Sequence, residues 1–275
     1  MNLISKEDLG ILLEYEYGIK ATLIDKSAWG FTSTAYYVRD GANRQYIAKV
    51  AMVSEEKLAK SQKDILLSTL LHGVVNTPNY LRNSQGEYLT VGKELLLKVA
   101  DYIEGTAPFD MNTKILEQMA ITLKKIHCFP LADVNYELRG YESVLQGIDV
   151  KGSETKLLHG DLTPSNVIVA DNVIKGVIDM EDSLTGPVEY DLAVSAVFGW
   201  FRMKNIPFTK ALDSVKNAYD GKVSQSLLNT FAVEHTRRYL NHVKNSKENY
   251  KDESNWQDDF NFAQKAFETI SQSVS

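Results

Sequence analysis

The chain has 275 residues, 44% hydrophobic, 24% charged and 10% aromatic, an ordinary balance for a folded chain long enough to build two lobes. Its 30 Lys and Arg against 36 Asp and Glu give a net charge of −6 with no dense basic run, which excludes the footprint of a nucleic-acid binder. Apolar runs fall far short of the ~20 residues that cross a bilayer, the start shows no secretory signal, and the lone Cys128 forms no internal disulfide. A cytoplasmic protein with neither membrane nor nucleic-acid partners is expected.

Ser5, with Asp8 three residues on, predicts a helix N-cap, and Leu9, Leu12 and Leu13 repeat at helical spacing until Gly18 stops them. The period then becomes that of strands. Ala21 to Lys26 and Thr34 to Arg39 are predicted strands, joined by a loop from Ser27 to Ser33 whose one glycine is Gly30. Asp40-Gly41 turns the chain into a third strand, Tyr46 to Val50, which carries Lys49. Ser54, Glu55 and Glu56 open a helix to about Leu71. Lys93 to Ile103 follows as a long apolar strand ending in Asp101-Tyr102-Ile103-Glu104-Gly105.

Asn112 caps the next helix, whose apolar face is expected to carry Ile115, Met119, Ile121, Leu123 and Ile126, with His127 at its end. Residues 131–154 are loop-rich. Two β-branched runs, Val167 to Ala170 and Val173 to Ile178, flank Asp171-Asn172, a turn pair that closes a hairpin. Folding that hairpin brings Asn166 and Asp179 together at its open end. Asp161 sits five residues before Asn166 on a loop stiffened by Pro164. Two carboxylates and an amide oxygen then share one space, and oxygen-only ligation suits Mg²⁺. From His159 to Asp191 there are seven acids against one base, Lys175, so a cation, a cationic substrate or both are expected. Pro187 to Trp200, Thr209 to Tyr219, Ser224 to about Lys244 and Ser254 to Ile270 are predicted helices. The last 55 residues carry seven acids and seven bases, the pattern of solvated helix faces.

His159-Gly160-Asp161 followed by Asn166, then Ile178-Asp179 and Tyr190-Asp191-Leu192-Ala193, resembles the H-x-D-x-x-x-x-N … I-D … D-L-A pattern of the aminoglycoside phosphotransferase and choline kinase family. The resemblance implies an α+β, bilobal protein-kinase-like fold. An antiparallel sheet with helices would form the nucleotide-binding lobe over residues 1–105, and a mainly helical catalytic and substrate-binding lobe would span 106–275. It implies that Asp161 is the catalytic base, that Asn166 and Asp179 hold Mg²⁺ on the phosphates, and that His159 and Asp191 support the loop. Lys49 would pair with the α- and β-phosphates, with Asp64, Glu55 or Glu56 as its acidic partner. The backbone of Asp101 and Ile103 would meet the adenine edge, and the Ser27 to Ser33 loop would cover the phosphates. ATP is the implied co-substrate, with GTP open, and the acceptor is a small hydroxylated molecule that can carry an amine.

Three readings compete with an aminoglycoside-phosphotransferase-like kinase. One is a kinase of a small amino alcohol, choline- or homoserine-like. Another is a protein kinase, against which stand Gly160 in place of the arginine of H-R-D, Met180-Glu181 after the metal aspartate, and the mere eleven residues between Asp179 and Asp191. A third is a catalytically silent nucleotide-binding protein of the same fold, against which stands the presence of Asp161, Asn166 and Asp179 together. Glu181 and Asp182 are also candidate contacts for an amine on the substrate.

Overall fold

The computed structural model describes residues 3–29, 33–250 and 253–274. Two compact units make up the chain, Met1–Glu104 with Gly176–Glu181, and Gly105–Lys175 with Asp182–Ser275.

The first unit begins with helix α1 (Lys6–Tyr17). Ser5 caps it by accepting from the Asp8 N–H, and Gly18 ends it in the left-handed region at φ 65°. Strands β1 (Ala21–Trp29), β2 (Ser33–Asp40) and β3 (Gln45–Met52) follow, then helix α2 (Glu55–Leu71) and strands β4 (Thr90–Val91) and β5 (Leu95–Asp101). The sheet has the order β1-β2-β3-β5-β4 with every pair antiparallel. Strand alternation decides what each face does. Tyr46, Ala48 and Val50 of β3, with Leu97 and Val99 of β5, pack one face against Leu9 and Leu13 of α1. Each such fully buried Leu contributes roughly 1.5–3 kcal/mol. Lys49 and Lys98 fall on the alternate positions and so share the other face, directly opposite one another in the register. β1 runs three residues past its expected end at Lys26; residues 30–32 of the expected phosphate loop, Gly30 among them, lie outside the described residues.

The second unit holds helix α3 (Thr113–His127), capped by Asn112, and strands β6 (Lys156–Leu158), β7 (Val167–Ala170), β8 (Val173–Val177, its last two residues counted with the first unit) and β9 (Leu184–Gly186). Helices α4 (Val188–Trp200), α5 (Phe208–Tyr219), α6 (Gln225–Asn245) and α7 (Glu253–Ser273) complete it. β7 and β8 form a hairpin, and Asp171 and Asn172 both take positive φ, 53° and 58°, as the tight turn between them requires. β6 pairs antiparallel with β9, a contact that three-residue strands are too short to announce in sequence. Nearly every residue of α4 is buried, which holds its first turn fixed beneath the loop that follows β6. Among the described residues no helix is long and apolar enough to cross a membrane.

Candidate active site

In the second unit the chain leaves β6 through two buried leucines and a buried histidine, Leu157, Leu158 and His159, and then turns sharply. Gly160 makes that turn at φ 84°, and a Cβ here would press into the carbonyl oxygen of Asp182. Only glycine satisfies both conditions, which accounts for its place between His159 and Asp161. Asp191, in the first turn of α4 and wholly buried, receives the turn. It accepts from the N–H of His159 at 2.7 Å, from the N–H of Gly160 at 2.8 Å and from His127 Nε2 at 3.1 Å. A carboxylate only accepts, so Nε2 carries a proton.

The loop then closes on itself. Pro164–Asn166 form one helical turn, and Asn166 Nδ2 donates to the Asp161 carbonyl at 2.7 Å and to its carboxylate Oδ2 at 2.9 Å. Those bonds fix Asp161 and turn the amide so that Oδ1 is the atom left for a ligand. Ser195 of α4 ties the loop down by donating to the Leu162 carbonyl at 2.8 Å.

In the first unit, three lysines and three acids interlock. Lys49 meets Asp179 Oδ1 at 3.0 Å and Glu181 at 3.4 Å. Lys98 meets Asp64 at 2.5 Å and Glu181 at 3.2 Å, and Lys57 meets Glu181 at 2.7 Å. Asp64 also accepts from Tyr80 and from the Met180 N–H. Burial disfavours the charge of Lys49, but Asp179, Glu181 and Asp64 outweigh it and the net shift is upward. Burial likewise pushes Asp64 and Glu181 up, and the lysines overcome it, so both carboxyls lie low, Glu181 at about 2.

The side chains of Asp64, Asp179 and Glu181 place carboxylate oxygens within 4.8 Å of one another, near enough for a cation. Asp64 and Glu181, however, are buried and spent on lysines. Asp179 is 35% exposed and bonds Lys49 through Oδ1, which leaves Oδ2 for a hard cation. It also sits at φ 71°, a backbone strain that concentrates at functional positions.

A cavity of about 350 Å³ opens beside Asp161 in the second unit. Tyr190 of α4 and His235, Arg238 and His242 of α6 line it, with Arg139 from the preceding loop. His235 is 5% exposed, and its Nε2 has no hydrogen-bond partner among the described residues. Burial first, then the Arg238 charge, depresses its pKa to about 3, so the ring is neutral.

Over residues 142–220, which include this loop and α4, the sequence matches the model of a phosphotransferase enzyme family. The resemblance to phosphotransferases holds. The chain is also 21% identical over 166 residues to the serine/threonine-protein kinase SKY1 of Saccharomyces cerevisiae, a match that takes in 59% of this chain and spans about a fifth of that kinase's length, 21%. Among solved structures, a microcompartment-associated aminopropanol kinase superposes with a TM-score of 0.76 at 13% identity, covering 98% of each chain. An amicoumacin kinase, hAmiN, in complex with AMP-PNP, Ca²⁺ and Ami gives 0.73 at 12% identity, covering 98% of this chain and 94% of that one. At such identities the likeness is one of fold: the chain is α+β and kinase-like, an antiparallel sheet with helices followed by a mainly helical part.

Set against this phosphotransferase-like fold, the expected site residues fall into two groups. Asp161, Asn166, His159 and Asp191 come together in the second unit, and Lys49 and Asp179 in the first. Asp101 lies at the end of β5, where its N–H donates to the Asn79 carbonyl at 3.1 Å and its carboxylate accepts from Asn79 Nδ2 at 2.6 Å. Ile103 packs its side chain against Gly176.

Two expectations need correction. Lys49 takes neither Asp64 nor Glu55 or Glu56 as its hydrogen-bonded partner. Lys98 captures the short side chain of Asp64, and Glu55 and Glu56 point into solvent. Glu181, expected as a contact for a substrate amine, is instead buried as the common acid of three lysines, while Asp182 lines the cavity and faces Arg139 at 3.6 Å. Lys98 and Lys57 were not foreseen at all. A lysine inside the apolar run Leu95-Leu96-Leu97-Lys98-Val99-Ala100 is the signal that marks a buried ion pair.

Proposed function

We propose that the chain is a Mg²⁺-dependent phosphotransferase that moves the γ-phosphoryl group of ATP to a hydroxyl of a small molecule. The observation that carries this reading is Asp161, held by Asn166 on the wall of a small-molecule-sized cavity. The acceptor oxygen bonds to the γ-phosphorus as the bond to the bridging oxygen of the β-phosphate breaks. The hydroxyl proton passes to Asp161, and ADP departs with the electron pair. Most of the protein's work is positioning.

Asn166 Oδ1 and Asp179 Oδ2 are the oxygens that would hold Mg²⁺, which when bound neutralises phosphate charge. Lys49, now spent on Asp179, is the cation for the α- and β-phosphates, and the Asp101 and Ile103 backbone would receive the base of ATP or GTP. Asp191 keeps the loop rigid. A cytoplasmic setting supplies the nucleotide. Serine/threonine-kinase chemistry on a peptide is disfavoured by Gly160 and by the short passage from Asp179 to Asp191. A small amino alcohol is the second reading of the acceptor, favoured by the cavity's modest size.

The test is a phosphorylation screen of the purified protein across hydroxylated amines, hydroxy acids, aminoglycosides and sugars, with ATP and GTP compared. Transfer to at least one acceptor, abolished by chelating Mg²⁺, is expected. Nucleotide binding with no transfer to any acceptor would leave a silent binding protein.

A further inference from the structure

The cavity beside Asp161 has the wrong lining for a polycation. Two arginines, Arg139 and Arg238, and two histidines, His235 and His242, face two acids, Asp161 and Asp182. One ion pair accounts for two of these charges. Asp182 faces Arg139 at 3.6 Å, and Asp161 is held by Asn166. Arg238 has no carboxylate within 4 Å among the described residues. Its neighbours in the lining are neutral: the buried Tyr190 phenol and the His235 ring, which its charge helps to keep unprotonated.

Around Arg238 the cavity therefore gathers a planar guanidinium, a phenol hydroxyl whose proton is held firmly, and a neutral imidazole. Tyr190 and His235 are locked edge to face with ring centroids 4.6 Å apart, so this corner is rigid. A guanidinium fork matches two oxygens of one planar anion, which is carboxylate geometry. Asp161, where the reacting hydroxyl belongs, lines the same cavity.

Resting on the phosphotransferase reading, we infer that the phosphate acceptor carries a carboxylate, received at Arg238 and Tyr190 while its hydroxyl faces Asp161. The acceptor is a compact hydroxy acid or hydroxylated amino acid, which a volume of about 350 Å³, near the lower end for ligand cavities, suits. Its carboxylate is bound and unchanged; the phosphoryl group forms its new bond to the hydroxyl oxygen, whose proton goes to Asp161.

Matched acceptors that differ only by the carboxylate test this. Homoserine is set against 3-aminopropanol, and serine against ethanolamine, in steady-state assays with MgATP and by direct calorimetric titration. The carboxylated member of each pair is expected to bind and react at least about tenfold better. Arg238→Gln brings the ratio near one, chiefly by raising KM, and Arg238→Lys, keeping the charge without the fork, falls between. Arg238 is exposed, and unchanged thermal melting confirms that both variants fold. Equal or better use of the amine members, or a carboxylate preference that survives Arg238→Gln, overturns the inference and leaves the kinase reading standing. Carboxylate binding lost in Arg238→Gln, with no phosphoryl transfer by the parent protein, keeps the anion site and sinks the kinase reading.

Discussion

Lys49 of β3 and Lys98 of β5 stand opposite each other in the sheet, and Glu181 accepts from both, at 3.4 and 3.2 Å. Two cations side by side are tolerable only because three carboxylates share them, so Lys49 belongs to a network instead of a single ion pair. Asp179 is its most exposed acid, the one whose release would free Lys49 for a nucleotide.

Removing one member of that network strands another. Lys98→Met takes the nearest cation from Asp64, which is 1% exposed, and is expected to cost about 3–5 kcal/mol in urea denaturation. Lys98→Met combined with Asp64→Leu removes both charges and should recover most of the loss. A double variant as unstable as the single one would show that the pair is not the stabilising unit.

Asn166→Ala removes both the donor that fixes Asp161 and an oxygen assigned to the metal. Activity and Mg²⁺ affinity should each fall by roughly 10–100-fold, with folding unaffected. Titration of activity with Mg²⁺ measures both effects, and an unchanged half-saturating concentration would take Asn166 out of the metal site.

The turn at Gly160 tolerates no side chain. Gly160→Ala adds left-handed strain and a clash with the Asp182 carbonyl, an expected cost of about 1–3 kcal/mol. Asp191→Ala leaves the N–H groups of His159 and Gly160 without their acceptor, about 1–3 kcal/mol for each. Denaturant midpoints give both values; melting unchanged in both would mean the loop does not depend on them.

Acid should weaken the protein in two windows. His235 is depressed from 6.5 to about 3 by burial and by Arg238, so below pH 6.5 the unfolded chain binds a proton that the folded one refuses. Stability is full above 6.5 and drains away as pH falls toward 3. Glu181, lowered from 4.5 to about 2 because the lysines outweigh its burial, adds a second loss between those values. Urea midpoints from pH 7.5 to 4 should decline in the parent and decline less in His235→Phe. Equal slopes would remove His235 as the cause.

Local signals were strong where chemistry and turns coincide. Ser5, Gly18, Asn112 and the Asp171-Asn172 pair marked their caps and turn because each meets a backbone need that few residues meet. The Asp161–Asn166 contact was legible because five residues and a proline span it. Contacts between distant segments were not. Lys98 and Asp64 are 34 residues apart, and nothing at either position names the other. Arg238 looked like one more charge on a solvated helix, as its neighbour Arg237 is, paired with Glu234. Only the packing of α6 beside α4 puts Arg238 in a cavity.

Asp161 as the base that receives the hydroxyl proton is the central claim, and Asp161→Asn tests it most directly. With a confirmed acceptor, the rate of γ-phosphoryl transfer followed by ³¹P NMR should drop by about 10²–10⁴-fold while nucleotide affinity is retained. Transfer at the parent rate by Asp161→Asn would contradict the mechanism.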